Sequence, residues 1–177
     1  MNAPYTAVRL TAEHHTNFLN CGVPKLDQWL DNHALKDQNL GLSATHVWAD
    51  AGDMVVGYYT LLPTILREDS DSDRGLLKLL KPPKFWSKEA YGVLIGKIAL
   101  DRSLRGRDLG IELFAEAFLM ANEAALLIGG LHLVIDPMDN NPKLRSMYEG
   151  YGFQTMEGTD RMYVTFDQFR DGVAIDD

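Results

Sequence analysis

The chain has 177 residues, enough for one domain with a substantial core. Apolar residues make up 46% and charged residues 24%. The formal net charge is -8, from 25 acidic against 17 basic residues, which speaks against generic nucleic-acid binding. The single cysteine, Cys21, excludes an internal disulfide and a cysteine-rich metal site, and no apolar run is long enough for a membrane span.

Met1 to Thr11 lacks the basic, apolar, small-residue order of a secretory leader, so a soluble cytoplasmic protein is expected. Pro24 suits the start of a helix. Leu26, Trp29, Leu30, His33 and Ala34 then recur at helical spacing, which predicts one helix over 24–38 with a single apolar face. Thr45 to Ala49 and Met54 to Leu62 read as strands around the turn Asp50-Ala51-Gly52-Asp53, an antiparallel hairpin. Residues 63–90 are less regular. A short helix is expected over Arg74 to Leu80, ended by Pro82 and Pro83.

Tyr91 to Leu100 is a nearly continuous apolar run and predicts a buried strand. The clearest helix follows at Leu109 to Leu126. Leu113, Phe114, Ala117, Phe118 and Ala121 form its apolar face, with Glu112, Glu116 and Glu123 opposite. Leu131 to Ile135 reads as another buried strand. Asn141 and Pro142 form a good helix start, and that helix stops at Gly150. Phe153 to Met156 and Arg161 to Thr165 suggest a last hairpin. The order implies one α/β domain over residues 1–177. Its mixed, mostly antiparallel twisted sheet has a central parallel strand pair and flanking helices.

The charge is uneven. Acidic residues gather at Glu68, Asp69, Asp71 and Asp73, and again at Asp167, Asp171, Asp176 and Asp177. Basic residues gather at Lys78, Lys81, Lys84 and Lys88, and at Arg102, Arg105 and Arg107. These read as solvated charge or as an anion-binding face. His14, His15, His33, His46 and His132 lack metal-ligand spacing and read as surface or core histidines, with no metal site expected. Cys21 reads as a small packed residue.

The chemistry is concentrated in the turn Leu100-Asp101-Arg102-Ser103-Leu104-Arg105-Gly106-Arg107-Asp108-Leu109-Gly110, between a buried strand and a strong helix. Amides at a helix start lack intrahelical partners, and the helix dipole adds partial positive charge there. Glycines let a ligand approach the backbone, and arginines add forked donors. This combination suits a phosphate or diphosphate, although many strand-to-helix turns carry the same residues without a ligand.

The turn resembles the acetyl-coenzyme A diphosphate loop of the GNAT superfamily of N-acetyltransferases, Gln/Arg-x-x-Gly-x-Gly/Ala, with Arg105 first and Gly110 last. Asn141, then Tyr148 seven residues on, then Gly152-Phe153, resembles the second hallmark. Phe18 to Gly22, Leu26-Asp27, Trp29-Leu30, Ser43 to Val47, Gly57 to Leu61 and Leu94 to Asp101 are similar to GNAT toxins of toxin–antitoxin pairs.

The resemblance implies that the backbone of Ile98, Ala99 and Leu100 holds the pantetheine arm. It implies that Arg105, Gly106, Arg107, Asp108, Leu109 and Gly110 hold the diphosphate, that Asn141 lies beside the cofactor, and that Tyr148 protonates the departing thiolate. The residue-level alternatives are a plain helix cap for Asn141 and a core tyrosine for Tyr148. Asp108 departs from the pattern, standing where the superfamily usually has glycine. A carboxylate there either repels a diphosphate, is neutralised by Arg105 and Arg107, or caps the helix.

Acetyl transfer from acetyl-coenzyme A to a primary amine is the function the resemblance implies. The toxin-like acceptor is the α-amine of an aminoacyl-tRNA; the other acceptors are a small-molecule or protein amine. The resemblance also implies a homodimer and a ribbon-helix-helix antitoxin. A reading from a different class is a regulatory module that kept the fold and lost the chemistry.

Overall fold

The computed structural model describes residues 4–80 and 88–167. Lys81, Pro82, Pro83 and Lys84, and Asp171, Asp176 and Asp177, lie outside the described residues. The elements run β1 (Val8–Arg9), α1 (Pro24–Trp29), a π-helical turn (Leu30–Ala34), α2 (Leu35–Asn39), β2 (Ala44–Ala49), β3 (Val55–Arg67), α3 (Asp71–Leu80) and β4 (Glu89–Leu100). They continue with a 3-10 turn (Arg102–Leu104), α4 (Leu109–Ile128), β5 (His132–Ile135), a second 3-10 turn (Met138–Asn140), α5 (Pro142–Gly150), β6 (Gln154–Thr155) and β7 (Met162–Thr165). One seven-stranded sheet takes the order β1-β2-β3-β4-β5-β7-β6. Its parallel pair is β4 with β5, so the mixed sheet with flanking helices is the expected fold class. Among the described residues, no helix is long and apolar enough to cross a membrane.

The chain divides into two compact units, Met1–Leu62 with Ile95–Met120, and Pro63–Leu94 with Ala121–Asp177. In the first, β2 pairs antiparallel with β3 from Ala44↔Leu61 to Ala49↔Val55, as the hairpin reading predicts, and β1 adds at Val8↔Val47. The core there joins Leu10, Leu19, Cys21, Leu30, Ala34, Val47, Val55, Tyr58 and Ala99. The helix predicted over 24–38 is interrupted by the π turn. That extra residue per turn shifts the facing side chains, so Leu30 and Ala34 are buried while His33 is exposed, contrary to the expected face. On α4, Leu113, Phe114, Ala117 and Phe118 are buried as predicted, each Leu or Phe stabilising by about 1.5–3 kcal/mol. Glu116 is not a solvated charge: Trp48 Nε1 donates to its carboxylate at 2.8 Å and the Ala7 amide at 3.0 Å.

In the second unit, the stretch expected to be irregular is largely ordered. β3 continues through the exposed Pro63 to Arg67, the Glu68 amide donates to the Lys88 carbonyl at 2.9 Å, and α3 starts three residues before the expected Arg74. Asp73 is half-buried and accepts from the Arg67 amide at 3.1 Å, unlike its solvated neighbours Glu68, Asp69 and Asp71. Leu66, Leu76, Leu77, Ala90, Val134, Met156 and Tyr163 form the core. β5 pairs with β7 from His132↔Thr165 to Ile135↔Met162, and β6 with β7, which is the expected last hairpin. His132 stands against Gly92, where a Cβ would come within 2.6 Å of its Nε2. Burial holds the His132 imidazole at about 4, with Asp73 opposing that shift and Arg161 adding to it. His46 is likewise held at about 4, by burial first and by Arg9 second.

Candidate cofactor site

The turn after β4 is built on its own hydrogen bonds in the first unit. Asp101 opens it: its amide donates to the Val56 carbonyl at 2.8 Å, and its Oδ1 accepts from the Ser103 amide at 2.9 Å, which starts the 3-10 turn. Leu104, within the turn, is buried. Burial alone would raise the Asp101 carboxyl, but the Ser103 and Asn20 amides and the Arg102 charge outweigh it and hold it below its ordinary value.

The backbone then enters left-handed space twice. Gly106 has φ +75° and Asp108 has φ +57°, with Arg107 between them outside that region. Left-handed residues in such a turn are one of the devices by which backbone N–H groups are gathered for an anion. Among the hydrogen bonds of the described residues, the amides of Gly106, Arg107, Asp108, Leu109 and Gly110 donate to nothing. The first helical donors are Ile111 and Glu112, both to the Asp108 carbonyl, at 2.9 and 3.3 Å. Five consecutive amides without an acceptor among the described residues lead into a 20-residue helix, and together they offer the donors that an anion would need. A diphosphate fits this donor set.

Asp108 caps the helix through its carbonyl and not, among the described residues, through its side chain. Its conformation is the one glycine adopts without strain, which accounts for the glycine that the resemblance expects there. Neutralisation by Arg105 and Arg107 is not seen: no ion pair among the described residues joins either to Asp108. Arg105 instead donates from Nη2 to the Cys21 carbonyl. Arg107 and Asp108 are exposed, Leu109 is buried, and Gly110 is exposed, with room for a Cβ at 4.0 Å from Leu100. On β4, Ala99 is buried, and Ile98 and Leu100 are half-buried. Cys21 is a packed residue: it is buried, and burial with the neighbouring Asp27 pushes its thiol up to about 11.

Asn141 and Tyr148 belong to the second unit. Asn141 is the helix cap of α5, its Oδ1 accepting from the Lys143 amide at 2.9 Å. That use leaves the side-chain NH2 group as a donor. Tyr148 is 3% exposed, its ring 6.0 Å from that of Phe153, and burial pushes its phenol up to about 12. It is therefore a neutral proton donor throughout the physiological range. Two residues without an assigned role in the sequence prove to organise these segments. Asp101 was legible as Asp-x-Ser, a turn-capping pattern. Arg145, inside the second hallmark, donates to the Asn140 side chain and the Asp160 carbonyl, both at 2.8 Å, and to Thr155 Oγ1. No short-range pattern marks that role, because its partners lie up to 15 residues away.

A β4–β5 parallel pair within a mixed sheet, with an amide cradle where β4 enters α4, defines a GNAT-like fold. No protein-family model matches the chain. Among solved structures, AtaT complexed with acetyl-methionyl-tRNAfMet is 24% identical at a TM-score of 0.77, covering 94% of this chain and 97% of that one. AtaTR bound with acetyl-CoA is also 24% identical, at a TM-score of 0.75, covering 94% and 96%. A tyrosine-to-phenylalanine mutant of KacT is 19% identical at a TM-score of 0.77, covering 94% and 98%. At these identities the likeness establishes a shared fold over nearly the whole length of each chain.

Proposed function

We propose that this protein is an N-acetyltransferase that moves the acetyl group of acetyl-coenzyme A to the α-amine of an aminoacyl-tRNA, acting as the toxin of a toxin–antitoxin pair. The observation that carries the reading is the run of five free amides, Gly106 to Gly110, at the start of α4. Structures of the same fold contain acetyl-CoA and, in one case, acetyl-methionyl-tRNA, which supports both donor and acceptor. The proposal treats residues 1–177 as one acetyltransferase domain.

In this account Arg105, Gly106, Arg107, Asp108, Leu109 and Gly110 hold the diphosphate, chiefly through backbone N–H groups. The backbone of Ile98, Ala99 and Leu100 holds the pantetheine arm, and Asn141 lies beside the cofactor with its NH2 group. When bound, coenzyme A supplies an activated acetyl group as a thioester. The acceptor amine must arrive as the free base. An amide near Ile98 or Leu100 is the donor assigned to stabilise the charge that grows on the carbonyl oxygen. Tyr148, kept protonated by its raised pKa, donates its proton to the departing thiolate, while the attacking nitrogen gives up its surplus proton to water and the phenol is restored from solvent. Tyrosine-to-phenylalanine mutants of both AtaT and KacT are among the matching structures, in keeping with a working tyrosine in this fold.

The proposal extends to a cytoplasmic homodimer neutralised by a ribbon-helix-helix antitoxin. AtaT is bound to the C-terminus of its antitoxin AtaR in one matching structure, and the AtaT–AtaR complex is bound to DNA in another. Mass spectrometry of methionyl-tRNA incubated with protein and acetyl-coenzyme A tests the activity. A gain of one acetyl group, with growth arrest on expression relieved by Tyr148→Phe, is expected. Acetylation of small amines alone, with normal growth, would instead favour the small-molecule or protein-amine acceptor.

The exposed Asp108 carboxylate favours a second reading, the regulatory module without catalysis. Thermal unfolding with millimolar acetyl-coenzyme A separates the two. No stabilisation of the wild type, with stabilisation recovered in Asp108→Gly, would support the second.

A further inference from the structure

Residues 19–22 carry one of the patterns that the resemblance singles out, yet the proposed chemistry gives them no task. The structure fastens them to the diphosphate turn at three points. The Asn20 amide donates to Asp101 Oδ2 at 2.9 Å, the Arg102 amide donates to the Asn20 carbonyl at 3.0 Å, and Arg105 Nη2 donates to the Cys21 carbonyl. Residues 19–22, the wall beside the turn, are themselves rooted, since Leu19 and Cys21 lie in the same core cluster as Ala99 of β4. Asp101 thus divides its carboxylate, with Oδ1 shaping its own turn and Oδ2 gripping the wall. Gly22 stands at φ +83°, and a Cβ there would meet Arg105 Nη2 at 3.3 Å. Glycine is what lets the arginine lie against this backbone.

We infer that Asp101 is a positioning residue for the diphosphate cradle, locking the turn onto Asn20–Gly22, and that Arg105 completes the lock through Cys21. The inference rests on the acetyltransferase reading and assigns a cause to the cradle's order. The stretch from Gly106 to Gly110, left-handed at 106 and 108, donates no amide to any described residue, so the 3-10 turn before it and its ties outward must keep it in place. An unfastened loop must be ordered at each binding event, and affinity falls accordingly. Neither Asp101 oxygen is aimed at the ligand, because both are spent on backbone amides. Arg105 likewise fixes the turn through Nη2, which leaves its other guanidinium donors for an anion.

The test compares two acetyl donors on the full-length protein: acetyl-coenzyme A, and acetyl-pantetheine, which has the same thioester and no diphosphate. Asp101→Ala should raise KM for acetyl-coenzyme A by about tenfold or more, leave kcat within about twofold, and leave kcat/KM for acetyl-pantetheine unchanged. Asp101→Asn, which keeps one acceptor oxygen, should fall between. Gly22→Ala displaces Arg105 from outside the turn and should show the same donor-selective loss even if Asp101→Ala fails to fold. A merely structural role would lower both donors together, and that result, or unchanged KM in folded variants, overturns the inference. If the wild type uses neither donor with any amine, the acetyltransferase reading fails and takes this inference with it. If the wild type strongly prefers acetyl-coenzyme A and the variants keep that preference, only the positioning role fails.

Discussion

Replacing Asp108 with glycine should stabilise the fold and tighten acetyl-coenzyme A binding, through two separate effects of known sign. First, Asp108 sits at φ +57°, where glycine is at ease and a side chain is not. Relief of that strain is about 0.5–1 kcal/mol, expressed mainly as stability. Second, its exposed carboxylate is paired to no arginine among the described residues, within a loop whose amides await an anion. At about 5 Å from a diphosphate, that charge repels by roughly 1–3 kcal/mol at intermediate effective dielectric. The second effect corresponds to about ten- to a hundredfold in affinity. Titration calorimetry of wild type and Asp108→Gly at two salt concentrations measures it. The variant should bind more tightly, and its advantage should shrink as salt rises, because the repulsion is screened. Asp108→Asn should recover most of the affinity without the backbone relief. Equal dissociation constants for all three proteins would refute the reasoning, since no carboxylate could then lie near the bound anion.

Tyr148→Phe should lower kcat by about 10²- to 10⁴-fold with the dissociation constant for acetyl-coenzyme A unchanged, measured by single-turnover kinetics and calorimetry. Because burial holds the Tyr148 phenol at about 12, the wild-type kcat profile should show no alkaline limb from it below pH 10 or so. His46 and His132 are both held at about 4, below the ordinary 6.5, so the unfolded chain takes up protons first as pH falls. Stability is therefore complete above about pH 6.5 and declines toward pH 4, by up to about 3 kcal/mol per histidine in urea unfolding. His132→Leu should remove part of that slope. Gly92→Ala should destabilise the fold by about 2–3 kcal/mol or more, read by thermal denaturation, because its Cβ would press on the His132 ring at 2.6 Å.

What could be read from the sequence was whatever local chemistry decides. The α4 face followed from Leu113, Phe114, Ala117 and Phe118, and the α5 start from Asn141-Pro142, because periodicity and caps act over one or two turns. The Asp50–Asp53 turn fixed the β2–β3 hairpin in the same way. Long-range features were not legible. The strand expected to end at Leu62 runs on through the exposed Pro63 to Arg67, because a proline is tolerated in a strand where its missing N–H faces away from the ladder. The π turn at Leu30–Ala34 left His33 outside, and no spacing rule anticipates a locally widened helix. β1 is only two residues long and gains its place by pairing at Val47 and His46. Glu116 looked like a surface charge because its partners, Ala7 and Trp48, are distant in sequence. In the cradle, the glycines and arginines marked the loop, but the free amides, the left-handed Asp108 and the ties to Asn20–Cys21 emerge only from the folded backbone.

The account turns on whether the amides of Gly106 to Gly110 receive a diphosphate, and backbone amide NMR on the full chain titrated with coenzyme A tests that directly. It predicts that these five resonances move most and become protected from hydrogen exchange on saturation, with 3′,5′-adenosine bisphosphate, which lacks the diphosphate bridge and pantetheine arm, shifting them far less. If coenzyme A saturates the protein while those five amides stay in place, or if it fails to bind at all, the central claim is contradicted.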